Sequence, residues 1–418
     1  MQKRSKWFNE ARYGLFIHWG AYSKAARGEW VMNRERIPLE EYRECYVKQF
    51  KAEHYDPADW MKKAVRWGMK YTVLTTRHHD GFALWDSKVN PYNAAKLGPG
   101  RDLVAPYVKA VREAGLKVGL YYSPASWAHP DYPGACFRDW PGEKDWKSEA
   151  HRKRFIDYYR AELKELMTGY GKIDYLWFDG CIPENIEGEE TIAMLRELQP
   201  EMLINNRLGT PFDIKVSEQT INPAAPGQDW EACMTLNENW GYHSGDHSWK
   251  NPAAVVSMLM TCAKSSGNLL LNIGPKADGT IPEESVKILD AAGEWLKHNR
   301  EAITDSERSP FAWNNTARLI TVKGNRIYIT FEHEPGGQFC WSELKNRLCR
   351  AWWLDDGTPI QFRQEPDRLF LLNLPPNLPL RTAVLEVEGK PEALTAQTTF
   401  LSSLPWTTAL KRICSRLP

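Results

Sequence analysis

The sequence predicts an α/β protein: a (β/α)8-like (TIM-type) barrel with some irregularity, followed by a small C-terminal antiparallel β-sandwich. Two observations support this fold class. Short, continuous apolar runs recur through the first 275 residues, which is typical of parallel strands buried on both faces. From about Ser309 the pattern changes to apolar and polar residues in alternation, which is typical of antiparallel strands with one face in solvent.

Eight apolar runs supply the strands of the predicted barrel. They span residues 15–20, 71–81, 116–123, 173–180, 202–207, 214–219, 231–236 and 268–275. Amphipathic segments that begin with Asp, Ser or Asn and end with Gly predict helices between several of them. These segments span residues 56–68, 102–115, 148–171 and 251–267. No good helical segment separates the sixth strand from the seventh, so we expect the barrel to be irregular there.

The C-terminal part begins after a helix predicted at 283–303. Two alternating segments joined at Gly324-Asn325 predict a hairpin, because such residue pairs suit tight turns. Further strands are predicted within three segments, 348–363, 368–375 and 382–389. We therefore divide the chain into a barrel (1–305), a β-sandwich (306–390) and a loosely structured tail (391–418).

Charge and aromatic content narrow the classes of partner. The chain has 54 Lys and Arg against 53 Asp and Glu, a net charge of +1, which gives no electrostatic case for nucleic acid or an anionic membrane. No window approaches 18 consecutive apolar residues, so no membrane span is expected. The 19 Trp, 17 Tyr and 14 Phe suit sugar rings, whose C–H faces stack on aromatic side chains. The pattern does not indicate an oligomeric state.

The cysteines and the N-terminus bear on the compartment. Eight cysteines without a CxxC spacing predict buried free thiols in a reducing compartment. The first residues are basic and then polar, without the apolar region of a signal peptide. We therefore expect a cytoplasmic protein, or a secreted or periplasmic one if a leader has been trimmed.

Polar groups stand at the ends of nearly all the predicted strands. Catalytic residues of barrel enzymes occupy this C-terminal face. The strand-end groups are His18, His78, His79, Tyr121, Tyr122, Trp177, Asp179, Asn205, Asn206, Arg207, Glu218 and, on the seventh strand, Glu231. Capping alone does not account for so many, so we expect a functional site at this face.

Several motifs at these positions resemble glycoside hydrolase family 29, the α-L-fucosidases. They are FIHWG, GEW, TTRHHDGFALWDS, GLYYS, WFDG, WEACMTLNENWGY and NLLLNIGPKADGTIP, in this order across about residues 7–300. The resemblance implies a retaining hydrolase that removes terminal α-L-fucose from a fucosylated oligosaccharide or glycoconjugate. It implies no cofactor.

The resemblance also implies roles for the carboxylates. Asp179, in WFDG, matches the family nucleophile, which attacks C1 to form a covalent glycosyl-enzyme. The acid/base position differs among members and leaves two candidates, Glu231 and Glu218. We favour Glu231, because a neighbouring Trp and apolar loop would raise its pKa as a general acid requires. Glu218 would then bind substrate.

The remaining candidate residues match positions that bind the sugar. His18, His78 and His79 resemble ligands of the sugar hydroxyls, although tandem histidines also invite a zinc hypothesis, which retaining hydrolysis does not require. The other candidates are loop and strand-end residues: Glu29 and Trp30, which would close on the sugar, Tyr122 (with Tyr121 as the alternative by strand parity), Arg207, and Trp177 and Trp240, which would pack on fucose or belong to the core.

Three other functions compete with this hypothesis. The first is a barrel glycosidase for another sugar such as α-galactose, and the second is a catalytically silent carbohydrate-binding protein on the same fold. The third is a metal-dependent hydrolase. The presence of Asp179 together with a suitable glutamate favours an active enzyme.

Overall fold

The computed structural model describes residues 3–133, 146–180, 183–311, 318–366, 368–376, 378 and 380–394. The chain divides into two compact units, Met1–Lys297 and His298–Pro418. The predicted tail lies outside the described residues from position 395 onward.

The first unit is built on an eight-stranded parallel sheet. Its strands are β1 (Tyr13–Ile17), β2 (Tyr71–Arg77), β3 (Lys117–Tyr122), β4 (Tyr175–Phe178), β5 (Leu203–Ile204), β6 (Lys215–Glu218), β7 (Trp230–Met234) and β8 (Asn268–Ile273). Their order is β5-β4-β3-β2-β1-β8-β7-β6, and the sheet curls so that β5 and β6 approach each other. The Ile204 carbonyl accepts the amides of Asp213 (2.8 Å) and Ile214 (3.1 Å), which closes this gap. The predicted irregular TIM-like barrel is confirmed.

Helices connect most of these strands. They are α1 (Lys6–Ala11), α2 (Tyr22–Ala25), α3 (Val31–Arg34), α4 (Leu39–Tyr42), α5 (Pro57–Arg66), α6 (Val104–Glu113), α7 (Glu149–Gly169), α8 (Gly188–Leu198), α9 (Pro252–Ala263) and α10 (Glu283–Asn299). The side chains of Asp56, Ser148 and Asn251 cap α5, α7 and α9, as the sequence predicts. Between β5 and β7, where all residues are described, the chain forms no helix.

Aromatic side chains fill the interior of the barrel. Alternate residues of a strand face inward, so Tyr71 of β2, Tyr121 of β3, and Tyr175 and Trp177 of β4 meet in one buried cluster. Gly14 of β1 leaves room for the Tyr71 ring, because a Cβ at this position would lie 2.3 Å from Cζ of Tyr71. This packed interior forms the base on which the strand-end groups stand.

The second unit contains two antiparallel sheets. Its strands are β9 (Arg318–Lys323), β10 (Arg326–Phe331), β11 (Phe339–Trp341), β12 (Leu348–Trp353), β13 (Gln361–Glu365), β14 (Arg368–Leu372) and β15 (Thr382–Val387). One sheet has the order β12-β15-β10-β9 and the other β11-β14-β13. Apolar residues of both, such as Ile329, Leu371 and Leu385, pack into one core. Gly324, at φ +59°, begins the hairpin turn between β9 and β10. The predicted sandwich is confirmed.

The described cysteines are free thiols. They are Cys45, Cys233, Cys262, Cys340 and Cys349. Cys233 and Cys262 are buried, but the other three are exposed, so the prediction that the thiols are buried is wrong for them. Among the described helices, none is long and apolar enough to cross a membrane.

Candidate active site

A small pocket opens at the carboxyl ends of the barrel strands. Its cavity volume is about 190 Å³, less than drug-sized ligands occupy and suited to a single sugar ring. The lining residues are Phe16, His18, Trp30, His78, His79, Trp177, Asp179, Gly180, Arg207, Glu218 and Trp240. Nine of the twelve residues proposed from the sequence therefore meet in one cavity.

Asp179 stands immediately after β4, and its carboxylate faces this pocket. Oδ2 accepts a hydrogen bond from the Tyr121 hydroxyl (3.0 Å), and Oδ1 contacts Nη1 of Arg207 (3.1 Å). The side chain is 19% exposed, so the group is sheltered yet reachable. Burial raises the pKa of Asp179, whereas the Arg207 charge, the Gly180 amide and the Tyr121 hydroxyl lower it.

Arg207 joins this aspartate to a second carboxylate. Its Nη2 lies 2.6 Å from Oε2 of Glu218, the last residue of β6, while Nη1 holds Asp179. One planar guanidinium thus spans both acids, a geometry that a fork of fixed N–H donors favours. The Glu218 side chain is 38% exposed, so it can meet both a bound sugar and solvent.

Glu231 lies elsewhere, which corrects the preference for it as the acid/base. It is the second residue of β7 and 0% exposed, inside the barrel and not among the residues that line the pocket. Its carboxylate accepts hydrogen bonds from Tyr71, Tyr175 and Trp177. The sequence predicts an apolar environment that raises the pKa of Glu231, and burial does raise it. However, the same burial keeps the group away from any substrate bond.

Two of the three histidines are oriented by partners behind them. Nδ1 of His18 lies 2.7 Å from Oδ1 of Asn272, and Nδ2 of the same amide donates to the Trp240 carbonyl. This arrangement makes Nδ1 of His18 the protonated nitrogen and leaves Nε2 as an acceptor. His79 likewise contacts Ser123 Oγ through Nδ1 (2.7 Å), while its Nε2 lies 3.9 Å from Asp179.

The third histidine is buried and packs against an aromatic ring. His78 is 3% exposed and stacks on Tyr121 with an interplanar angle of 6°. Among the described residues, no group hydrogen-bonds to its Nδ1. Burial lowers the pKa of all three imidazoles, to about 3 for His18 and His79, so they are neutral donors and acceptors at physiological pH.

The structure also corrects the prediction that Tyr122 binds the sugar, because Tyr122 points away from the barrel interior and Tyr121 points into it. Successive residues of a strand point to opposite faces, so Tyr121 enters the barrel and Tyr122 leaves it. The Tyr122 hydroxyl donates to Glu162 of α7 (2.7 Å), which also pairs with Arg77. Tyr121, the alternative by strand parity, is therefore the residue that reaches the site, through its hydrogen bond to Asp179.

The GEW loop contributes one residue to the cavity and one beneath it. Trp30 lines the pocket and packs edge-on against His79, with ring centroids 4.9 Å apart. Glu29 is 4% exposed and accepts the Gly241 amide (2.7 Å), so it fixes the segment that carries Trp240. Its predicted contact with the sugar is replaced by this support of the loop.

Some residues of the site were not identified from the sequence. Phe16 lines the pocket, and Trp127 packs on both Trp30 and His79. Asn272 and Ser123 orient two histidines from behind. Phe16 is the inward residue before the FIHWG histidine and could have been found by strand parity, whereas the other contacts depend on tertiary packing. In the described ranges, no group of three His, Cys, Asp or Glu side chains could hold a metal ion.

Comparison with known proteins identifies the family. The family model described as alpha-L-fucosidase matches residues 1–301, the whole barrel and its strand-end groups. The chain belongs to the alpha-L-fucosidase family. The family and the enzyme class predicted from the sequence, a glycoside hydrolase, are confirmed.

Relatives of known identity extend along most of the chain. The human tissue alpha-L-fucosidase is 30% identical over 406 residues, which cover 88% of this chain and 84% of that protein. Human plasma alpha-L-fucosidase is 33% identical over 348 residues, 75% of this chain and 71% of the relative. The similarity therefore includes much of the second unit.

Solved structures of alpha-L-fucosidases share the fold. Isoenzyme 1 from Paenibacillus thiaminolyticus superposes with a TM-score of 0.85 at 37% identity, covering 93% of this chain and 99% of that one. A Bacteroides thetaiotaomicron alpha-L-fucosidase has a TM-score of 0.83 at 26% identity, covering 93% and 97%. That structure is a trapped covalent intermediate with 2-fluoro-fucosyl fluoride in a glutamate-to-glutamine variant. Covalent chemistry in so similar a fold supports the retaining mechanism.

Proposed function

We propose that this alpha-L-fucosidase removes terminal α-L-fucose from fucosylated glycans, with Asp179 as nucleophile and Glu218 as acid/base. The observation that carries the assignment is the shared guanidinium of Arg207, which holds both carboxylates at the wall of one sugar-sized pocket. In retaining glycosidases the two carboxyl groups lie about 5–5.5 Å apart, and two acids on one guanidinium are held close. Glu218 replaces Glu231 in this role.

The first half of the reaction transfers fucose to the enzyme. Glu218 donates a proton to the glycosidic oxygen as the C1–O bond breaks, and Asp179 Oδ attacks C1 from the opposite face. The aglycone leaves as an alcohol, and fucose remains as a β-linked ester of Asp179. Tyr121 and Arg207 hold the carboxylate in place for this attack.

The second half returns the enzyme to its starting state. Glu218, now ionised, accepts a proton from a water molecule that attacks C1 on the face vacated by the aglycone. The ester bond to Asp179 breaks, and α-L-fucose leaves with its original configuration. Both steps use only carboxylates of the chain, so the reaction requires no cofactor.

The pocket walls provide the two kinds of contact that a sugar needs. The neutral imidazoles of His18, His78 and His79 line the pocket and present donors and acceptors to ring hydroxyls. Trp177 and Trp240 supply apolar surface for C–H groups and the C5 methyl. A cavity of this size fits a terminal residue better than an internal one.

Azide rescue of the two carboxylate variants tests the assignment. Asp179→Ala should lose nearly all turnover of an aryl α-L-fucoside, and azide should restore some with formation of the inverted β-fucosyl azide. Glu218→Ala should keep its first step for an activated aryl leaving group, and azide should give the retained α-fucosyl azide. Failure of both variants to impair turnover would contradict the roles of the two carboxylates, and a retained azide product from Glu231→Ala alone would return the acid/base role to Glu231.

A substrate panel tests the choice of sugar. Aryl glycosides of α-L-fucose and α-D-galactose should be cleaved very unequally, with fucose preferred, because the galactoside has the mirror-image arrangement and an additional 6-hydroxyl. Equal or greater activity on the galactoside would contradict fucose as the substrate.

A further inference from the structure

Glu231 is a buried carboxylate whose three hydrogen-bond donors are all neutral. Oε1 accepts from the Tyr175 hydroxyl (2.7 Å) and from Nε1 of Trp177 (2.8 Å), and Oε2 accepts from the Tyr71 hydroxyl (2.7 Å). These donors come from β2 and β4, across the barrel interior from β7. A buried charge is costly unless it is well hydrogen-bonded, so a fully coordinated carboxylate at this point indicates a specific task.

The indole of Trp177 connects Glu231 to the active site. One edge of the ring donates to Glu231, while the side chain itself lines the sugar pocket. Its plane lies nearly parallel to the Tyr121 ring, at 15° with centroids 5.7 Å apart, and the Tyr121 hydroxyl bonds Asp179. The Arg207 guanidinium also lies 5.5 Å from the centre of the indole. The tilt of the Trp177 indole therefore affects the pocket wall, the Tyr121 ring and the Arg207 guanidinium.

We propose that Glu231 is a positioning residue that fixes the indole plane of Trp177, and through it the sugar-facing wall and the Tyr121–Asp179 hydrogen bond. This inference rests on the proposed function. The buried tyrosines act with it: Tyr71 and Tyr175 hold the carboxylate so that Oε1 points at the indole N–H. Gly14 leaves the space that the Tyr71 ring requires.

Two near-isosteric substitutions of Glu231 separate positioning from acid/base chemistry, because the two roles predict opposite rankings of the activity that the variants lose. Glu231→Gln keeps the length and one carbonyl oxygen for Tyr175 and Trp177, and the Tyr71 hydroxyl can rotate to accept from the new amide. Glu231→Asp keeps the charge but withdraws it by one methylene from Trp177. A positioning residue should therefore tolerate Gln better than Asp, whereas an acid/base cannot function as Gln.

The measurement is kcat and KM on aryl α-L-fucosides with good and poor leaving groups, with and without azide. We expect kcat/KM to fall about threefold for Glu231→Gln and about thirtyfold for Glu231→Asp, as loss of a hydrogen bond to a charged group implies. The losses should be similar for both leaving groups, and azide should rescue neither variant. Glu218→Gln is the matched control: its kcat/KM should fall steeply only for poor leaving groups, whereas its kcat on good leaving groups should fall because deglycosylation slows, and azide should restore that kcat.

A double-mutant cycle identifies the route of the effect. Trp177→Phe removes the indole N–H, so Glu231→Asp should cost much less in that background than in the wild-type chain. If the losses of kcat/KM from Glu231→Asp and Trp177→Phe were fully additive, the route through Trp177 would be overturned. A larger loss of kcat/KM in Glu231→Gln than in Glu231→Asp would overturn the positioning role. Azide rescue of Glu231→Gln together with an unimpaired Glu218→Gln would instead overturn the proposed function. The three results are distinguishable.

Discussion

At the scale of single residues, Arg207 acts on the charge of Asp179, the proposed nucleophile. Its guanidinium favours the ionised form of Asp179, against the burial that raises the pKa of that carboxyl group. Retaining chemistry requires Asp179 to be ionised in the free enzyme. The pH at which kcat/KM falls on the acidic side therefore depends on Arg207, a cation that does not itself react.

Arg207→Gln should move the acidic limb of the kcat/KM profile to higher pH, because the pKa of Asp179 rises when the cation is removed. The profile is measured on an activated aryl α-L-fucoside between pH 4 and 8. Arg363→Gln, at an exposed position on β13, is the control and should leave the profile in place. An unchanged limb in Arg207→Gln would show that the guanidinium does not set the charge of Asp179.

Most of the pocket could be located from the sequence, but three predicted residues, Glu29, Tyr122 and Glu231, are not in its lining. Asp179 and the histidines could be placed because catalytic groups follow barrel strands. The same rule argues against Glu231, which begins its predicted strand and so lies toward the opposite face, whereas Glu218 lies near the end of its strand. Tyr122 was misassigned because the parity of β3 depends on register, which pairing with β2 and β4 determines.

At the scale of elements, a buried ion pair attaches helix α7 to the strands that carry the histidines. Nη1 of Arg77, at the end of β2, lies 2.6 Å from Oε2 of Glu162, and both side chains are 0% exposed. Glu162 also accepts from Tyr122 of β3 and from Asn90. The other end of Arg77 holds the Ser123 carbonyl, next to the hydroxyl that orients His79.

Glu162→Leu should lower the free energy of unfolding by about 3–5 kcal/mol, since it leaves a buried guanidinium without its counter-ion. Urea unfolding followed by circular dichroism measures this. Glu113→Gln, which breaks the exposed Lys109–Glu113 pair on α6, is the control and should cost less than about 1 kcal/mol. Equal, small effects of the two substitutions would contradict the anchoring role of the ion pair.

The elements themselves were largely predictable, and the exceptions have local causes. Each of the eight barrel strands lies within or beside a predicted apolar run, because burial on both faces requires such runs. Helix α8 was not identified: it begins after Glu187, a left-handed residue at φ +58° without a side-chain cap. Strand β11 has three residues and is too short to show a pattern.

At the scale of the whole molecule, buried neutral histidines make stability depend on pH. Burial lowers the pKa of His18 and His79 to about 3, whereas an unfolded chain protonates them near 6.5. Below pH 6.5 the unfolded state therefore binds more protons than the folded one. This contribution to stability is complete above 6.5 and is lost as the pH falls toward 3, at roughly 1.4 kcal/mol per pH unit for each histidine.

His79→Asn should reduce this dependence. Between pH 7 and pH 5, the wild-type free energy of unfolding should fall by about 2 kcal/mol more than that of the variant. Buried carboxylates with raised pKa values act in the opposite direction, and the comparison cancels their common effect. Identical losses in the two proteins would contradict a neutral, buried His79.

Metal independence is a second expectation for the whole enzyme. Because the proposed reaction uses two carboxylates of the chain, dialysis against EDTA should leave the rate of aryl α-L-fucoside hydrolysis unchanged. A loss that zinc restores would contradict the assignment of His18, His78 and His79 as sugar ligands.

Covalent trapping tests the central claim, that Asp179 attacks the sugar, most directly. The enzyme is incubated with 2-fluoro-fucosyl fluoride, whose fluorine slows release of the fucosyl group, and Glu218→Gln prolongs the intermediate further. After proteolysis, mass spectrometry should locate one fluorofucosyl group on Asp179, and Asp179→Asn should remain unlabelled. A label on Glu218 or Glu231, or turnover without a covalent adduct and with inversion at C1, would contradict the mechanism.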